Sequence, residues 1–404
     1  MMNLQQARLW IVLLSLISPY LNGLAIASGS ALKADENLVF FTTTATLSAD
    51  GSKWTIPVRG RVYEPETDSL TNMALVALIR KATGITKDSP EHEWLAKRAG
   101  HFTIDNQSGK TISIRVGERS FKMSKSNGDG LFSGTVELPA QEATLLAPKG
   151  ILPIRYDSDS KVSDQRTFAG SAVLTPPQGI SIISDIDDTV KITQVRDHKE
   201  MLANTFLRPF REAPGMSTLY QRIAESRPDA RFHFVSGSPW QLYEPLQELF
   251  RETKFPNASF HLKEVSFDGT TIGNLFMDPE EFKIPEITGL FDKYPARKFI
   301  LIGDSGEKDP EVYAEIFKRY PNRVAGIFIR NVTDEPRSAP RYQQLFGKLP
   351  ADKWSIFTDP AVIQSSLDGL LAAIPTGANQ VCCGDDPAPI KPTHLMNAVQ
   401  ELSR

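Results

Sequence analysis

Ile180-Ser181-Ile182-Ile183-Ser184-Asp185-Ile186-Asp187-Asp188-Thr189 is the stretch that decides the fold. Its first five residues read as a short buried strand, and the acids follow at that strand's C-terminal end. Side chains alternate along a strand, so Asp185 and Asp187 point one way while Ile186 turns into the core. Two carboxylates held together repel, and burial raises the cost, so they need a cation or a shared proton. A hard divalent cation with oxygen ligands meets that need. An acidic turn facing water would carry no chemistry, and a D-x-D alone is a weak signal. An EF-hand loop is excluded, because there is no Gly at its sixth position and no Glu at its twelfth.

Thr175-Pro176-Pro177-Gln178-Gly179, just before this strand, reads as a linker. After it, strand and helix alternate. Helices are expected over 214–226, from Ser238-Pro239 with Gln241 completing a capping box, over 282–294 despite Pro285, from Asp309-Pro310 to Tyr320, and from Asp359-Pro360 to Ala373. Strands are expected over 231–235, 298–302 and 324–329. Alternation with continuous apolar strands argues for an α/β fold, a parallel sheet covered on both faces. Such folds collect their sites at the C-terminal edge of the strands.

Before the linker the pattern differs. Alternating or β-branched runs at 38–46, 54–63, 111–116, 120–123, 131–138 and 151–156 predict strands, and 70–82 predicts one early helix. Residues 28–175 thus form a small β-rich domain with no cluster of His, Cys and carboxylates. Its expected role is structural or contact with a partner. Residues 375–404 are Pro-rich and polar and read as a flexible tail, which leaves 176–374 as the α/β domain. The tail holds the chain's two cysteines, Cys382 and Cys383, so no disulfide framework exists.

At the N-terminus, Arg8 precedes an apolar run over 9–17, Pro19 breaks it, and Ala25-Ile26-Ala27 supplies small residues for cleavage. Residues 1–27 read as a cleavable signal peptide, which predicts a secreted or periplasmic protein. As a membrane anchor the run is shorter than the roughly 20 residues a span needs, and Pro19, Asn22 and Gly23 interrupt it. The net charge is −3. No basic face offers itself to a phosphate backbone, so nucleic acid is not an expected partner.

Three further constellations fall at the same sheet edge. Gly303-Asp304-Ser305-Gly306-Glu307-Lys308-Asp309 follows a strand and precedes a helix. Asp304 and Asp309 would add carboxylates for the same cation, although Asp309 also suits a plain helix cap. Phe234-Val235-Ser236-Gly237-Ser238-Pro239-Trp240 makes another strand-to-helix turn. Ser236 would bind a phosphoryl oxygen beside backbone N–H groups. Ser238 reads as the helix cap and Trp240 as packing. Lys283, near the start of its helix, can balance charge at that edge; a lone lysine is otherwise a solvated surface residue.

The order strand–DxD, strand–Ser, Lys, strand–GDxxxxD resembles the haloacid-dehalogenase phosphatase superfamily. Within it, 184–191, 236–243 and 302–313, with Pro214-Gly215-Met216 between the first two, resemble the catalytic domain of actin-patch-type phosphatidate phosphatases. The resemblance covers roughly residues 177–330. It implies a haloacid-dehalogenase-like (Rossmann-type) fold, phosphatidate as substrate, diacylglycerol as product and Mg2+ as cofactor. It implies Asp185 as nucleophile, Asp187 as acid and base, and Ser236 and Lys283 as phosphoryl ligands. Metal would be held by Asp185, the backbone carbonyl of Asp187, Asp304 and Asp309. One departure is Phe282, where relatives carry His before the lysine. Two other readings stay open: a phosphatase of soluble phosphomonoesters, and a non-catalytic secreted protein that binds lipid or a partner. Met201, Leu202, Phe206, Leu207 and Phe210, near Arg208 and Arg211, could form a flap that meets a membrane surface. A helix packed on the core fits the same pattern better.

Overall fold

The structure is a computed structural model, and it describes residues 30–65, 69–157, 166–265 and 279–376. The expected signal peptide, Cys382, Cys383 and all but the first two residues of the expected tail lie outside the described residues.

The parallel sheet is built from β10 (Ile180–Ser184), β11 (Arg231–Pro239), β12 (Ala258–Lys263), β13 (Lys298–Asp304), β14 (Val324–Arg330) and β15 (Trp354–Phe357). Its order is β12-β11-β10-β13-β14-β15, with every neighbouring pair parallel. The chain moves outward one way from β10, then returns to its other side at β13. That reversal is a topological switch point, where ligands of doubly wound sheets bind.

Alternation along these strands divides two apolar layers. Ile180, Ile182, Phe232, Phe234, Ile300 and Ile302 face one layer, while Ile183, Val235, Phe299, Leu301, Ile327 and Ile329 face the other. Helices cover both layers: α4 (His198–Leu202), α5 (Met216–Ser226), α6 (Tyr243–Glu252) and α10 (Gln364–Ala373) on the first, and α7 (Pro279–Lys293), α8 (Asp309–Arg319) and α9 (Pro340–Phe346) on the second.

The preceding region is β-rich. Its nine-stranded sheet holds β1 (Asn37–Phe41), β2 (Thr43–Leu47), β3 (Lys53–Glu64), β4 (Asp105–Asn106), β5 (Ser113–Val116), β6 (Arg119–Lys122), β7 (Leu131–Pro139), β8 (Ile151–Tyr156) and β9 (Ala169–Thr175). The run expected as one strand over 38–46 is split at Thr42. Its N–H donates to the Tyr243 hydroxyl at 2.9 Å instead of to a strand neighbour. Three helices rather than one accompany the sheet: α1 (Leu70–Thr83), α2 (His92–Gly100) and α3 (Ala140–Leu146). α1 and α2 do not pack in the β core. Leu75, Ile79, Leu95, Ala99 and Phe102 join the first apolar layer of the parallel sheet.

Met201, Leu202, Phe206 and Leu207 belong to that same layer, with Phe102 and Phe206 ring centroids 5.2 Å apart. This segment packs on the core and presents no apolar flap. No helix among the described residues is long and apolar enough to cross a membrane.

Candidate functional site

β10 ends at Ser184, whose neighbours in register are Phe234 of β11 and Ile302 of β13. Each motif therefore leaves the sheet at an adjacent strand end. The Asp185 N–H donates to Ile302 O at 3.0 Å. The Tyr220 hydroxyl donates to Ser184 Oγ (2.7 Å), which donates to Asp185 O (2.6 Å). Asp185 is fully buried, and neither carboxylate oxygen accepts a hydrogen bond among the described residues. The Lys283 ammonium, also buried, lies 2.8 Å from Asp185 Oδ1 as an ion pair outside hydrogen-bond alignment. It also contacts Asp309 Oδ1 (2.6 Å) and Glu307 Oε2 (3.1 Å).

Asp185, Asp304 and Glu307 each place one oxygen within 4.8 Å of the others. Asp304 Oδ1 accepts the Gly306 amide at 2.6 Å, so the turn after β13 is wound around its own carboxylate. Asp309 opens α8 without capping it. Its Oδ2 accepts the Asp304 N–H (3.1 Å), and its Oδ1 is taken by Lys283. A side chain at Gly303 would overlap the Asp309 carboxylate, so this close approach requires glycine.

The electrostatics follow from the count, four carboxylates around one ammonium. Burial raises the Asp185 carboxyl well above its usual range, Lys283 partly opposes this, and the neighbouring acids add to it. Asp304 is raised by burial and then by Asp309 and Glu307. Burial would lower the Lys283 ammonium, but Asp185, Asp309 and Glu307 outweigh it and hold it well above its usual value. An oxygen-only donor set of mutually repelling carboxylates, with Asp185 lacking any hydrogen bond, fits a hard divalent cation.

Asp187 has a different environment. Its carboxylate is ion-paired with Lys191 (2.7 Å) and accepts from Thr193 Oγ1 (2.7 Å), Ser238 Oγ (2.5 Å) and Ser236 Oγ (3.2 Å). Burial alone would raise its pKa. Lys191's charge and the hydrogen bonds from Lys191, Ser238 and Thr193 outweigh that and hold it at about 2. Asp188 takes a positive φ of 54°. Its carboxylate accepts the amides of Thr193, Gln194 and Val195 (2.7–2.8 Å), which compensates the strained backbone and ties down the loop carrying Lys191.

Sequence reasoning gave no role to Glu307, Lys191 or Thr193, although the first two stand inside the quoted motifs. Ser238 does not cap a helix: it lies in β11 and its hydroxyl faces Asp187. Gln241 makes no capping box; its side chain donates to Val265 O (2.6 Å). Trp240 packs, its ring 4.0 Å from that of Phe41.

Fold and site define a doubly wound α/β protein with an aspartate–lysine centre and a cation-compatible acidic cluster at the switch point. Residues 180–331 match the family model described as phosphatidate phosphatase APP1, catalytic domain, a match that supports the APP1-type family for this part of the chain. An uncharacterized protein of Schizosaccharomyces pombe is 37% identical over 186 residues, 45% of this chain and 30% of that protein. Phosphatidate phosphatase APP1 of Saccharomyces cerevisiae is 32% identical over 171 residues, 42% of this chain and 28% of that protein. The chain thus spans less than a third of the length of these curated relatives. A β-glucuronidase of Parabacteroides merdae aligns over 73% of this chain and 35% of that one at 10% identity and a TM-score of 0.25, too low to carry an argument. The relatives correct one expectation. The match to the yeast phosphatidate phosphatase APP1 is the finding against the secreted or periplasmic placement, which does not stand. An apolar run followed by Ala25-Ile26-Ala27 is too short a pattern to carry a location.

Proposed function

We propose that this protein is a Mg2+-dependent phosphatase of the haloacid-dehalogenase type that hydrolyses phosphatidate to diacylglycerol and phosphate. On this reading residues 176–374 are the phosphatase domain and 28–175 a β-rich domain packed against it. The observation that carries the proposal is the state of Asp185: a buried carboxylate with no hydrogen-bond donor among the described residues, 2.8 Å from Lys283. A structural carboxylate at that depth would be saturated with donors. One left bare is available to bond to phosphorus.

Asp185 Oδ attacks phosphorus, forming the Asp185–phosphate bond as the bond to the glycerol oxygen breaks. Lys283 and Ser236 hold phosphoryl oxygens as charge shifts onto them. Asp187 gives a proton to the departing alkoxide. It later takes one from the water that splits the acyl phosphate and frees Asp185. The donors around Asp187 favour its ionised form, which suits the hydrolytic half. Its donation to the alkoxide requires the Lys191 contact to loosen when substrate enters. Asp185, Asp304 and Glu307 would hold Mg2+, with the Asp187 carbonyl alongside and Asp309 positioning Lys283 and the Asp304 backbone. When bound, the ion supplies positive charge that lets an anionic nucleophile approach an anionic ester.

The test is phosphate release from phosphatidate in mixed micelles, with Mg2+ and with chelator, compared with soluble phosphomonoesters. Asp185→Asn is expected to lower turnover by about 10⁴ or more with unchanged circular dichroism. Wild-type turnover in that variant would remove the nucleophile assignment, and preference for soluble esters would remove the substrate.

A further inference from the structure

Alternation along β3 gives its two faces different partners. Trp54, Ile56, Val58 and Val62 lie in the core of the nine-stranded sheet. The odd-numbered face meets the parallel sheet's rim. There Arg59 pairs with Glu264, and the Tyr63 hydroxyl donates to Glu244 Oε2 at 2.9 Å. Arg61 stands between them on the same face, yet its guanidinium has no hydrogen bond or ion pair among the described residues. It is only 8% exposed, and its Nε is buried without an acceptor. Asp129, which lines the same cavity, is the anion that acts on Arg61, but it makes no ion pair or hydrogen bond with it. A buried guanidinium whose donors are unmet is costly, which points to a further acceptor in the cavity.

Arg61 lines a cavity of about 420 Å³, large enough for a small molecule. The N-terminus of α1 opens on the same space. Ser69 Oγ accepts the Asn72 amide (3.1 Å) and Ser69 O the Met73 amide (3.0 Å). The amides of Leu70 and Thr71 have no acceptor among the described residues, and Thr71 lines the cavity. A 14-residue helix adds positive potential at that end. Two more unsatisfied atoms belong to residues lining the cavity, and both are acceptors: Asn106 Oδ1 and Gln241 Oε1. One wall thus offers donors for an oxoanion, and others offer acceptors for hydroxyl groups, among them the carboxylates of Asp129 and of Glu264, the latter paired with Arg59.

We infer that this cavity is a binding site for a polyol phosphate group, its oxoanion against Arg61 and the first turn of α1, its hydroxyls toward Asn106 and Gln241. The site is separate from the Asp185 cluster and does not depend on the phosphatase reading. A free polyol phosphate and a glycerol-phosphate lipid headgroup share this chemistry. Leu70 and Met73, 80% and 54% exposed on the same first turn, would let the mouth meet a lipid surface.

The test measures binding rather than turnover, in EDTA, on the full chain and its Arg61→Gln and Asn106→Leu variants. Equilibrium dialysis with glycerol 3-phosphate and sedimentation with phosphatidylcholine vesicles, with and without phosphatidylglycerol, form the two arms. Arg61→Gln is expected to lose one equivalent of glycerol 3-phosphate or to weaken it at least tenfold. Asn106→Leu is expected to weaken glycerol 3-phosphate more than inorganic phosphate. A matching loss of phosphatidylglycerol-dependent sedimentation identifies a headgroup, and a loss confined to dialysis identifies a free ligand. Wild-type binding by both variants in both arms overturns the proposal. Should Arg61→Gln misfold, Asn106→Leu decides alone, and equal weakening of both ligands by it then counts against the site.

Discussion

Adding and removing the divalent ion should change stability as much as activity, and the size of the change can be worked out. Asp185, Asp304 and Asp309 are buried and Glu307 half-buried, with Lys283 the ammonium among them. A ligand at a hundredfold excess over its dissociation constant stabilises the folded state by about 2.7 kcal/mol. For a cooperative unit of about 150–250 residues, 1 kcal/mol moves the melting temperature by about 2–4 °C, so Mg2+ should raise it by about 5–10 °C. The pH dependence follows from the folded-state shifts. Asp185 and Asp304 are raised above their ordinary value of 3.8. Without the ion, the stability they contribute is fully present below that value and is lost as pH rises through their folded values. The ion opposes those shifts, so its stabilising effect should be larger at about pH 8 than at about pH 5. Asp304→Asn removes one donor and one repelling charge together. It should melt higher than wild type in EDTA and respond less to Mg2+. Melting followed by circular dichroism across this pH range, with EDTA or saturating Mg2+, is the assay. A Mg2+ response that is equal in wild type and Asp304→Asn, or that grows toward acid pH, would refute the account of the cluster.

Lys191→Met removes the charge 2.7 Å from Asp187 Oδ1, so the Asp187 carboxyl should rise from about 2. As the acid of the first half-reaction Asp187 sets the alkaline limb of the kcat/KM profile, so that limb should move to higher pH, and an unmoved limb would separate Asp187 from that step. Tyr243→Phe deletes the hydroxyl that meets the Thr42 amide and Thr42 Oγ1, each at 2.9 Å. It should cost about 1–3 kcal/mol by leaving buried groups unpaired. A single melting transition should move as a whole; two transitions with only one displaced would mean the two halves unfold separately. Lys293, whose ammonium donates to Thr44 O, is lowered by burial to about 8. Below that value it is charged in both states and disfavours the fold. Between about 8 and 10.5 the folded state releases its proton first, so stability should rise with pH there. Lys293→Met should flatten that rise in urea titrations.

The parallel sheet was legible because each strand carries its own evidence. Ile180 to Ser184 and Lys298 to Ile302 are apolar on both faces, and only a strand covered on both sides tolerates that. The motifs were legible because acids and glycines at a strand end have few other uses. What failed was local chemistry with two valid readings. Ser238 before Pro239 has the form of a helix cap, yet Pro239 itself occupies the cap position, with no side-chain capping bond, and Ser238 stays in the strand. Asp309 before Pro310 has the same form, and its carboxylate turns back toward the amide of Asp304. Nothing in a one-dimensional pattern distinguishes a side chain that caps its own helix from one that reaches five residues back. α2 was hidden by its length, nine residues just after Ser89-Pro90. Its buried residues Leu95, Arg98 and Ala99 lie on one face, three and four residues apart.

The matched family segment, 180–331, does not by itself account for how deeply the site is buried. The rim of a doubly wound sheet is open to water unless something covers it, and here the cover comes from earlier in the chain. Phe41 packs on Trp240, two residues past Ser238, and Phe102 packs on Phe206 behind the loop that carries Lys191. Tyr63 reaches Glu244. Water excluded by these contacts would otherwise screen Asp187 from Lys191 and Asp185 from Lys283, and both pairings weaken as the local dielectric rises. On the proposed mechanism the β-rich region would therefore act on the chemistry by excluding water, without supplying a reacting group.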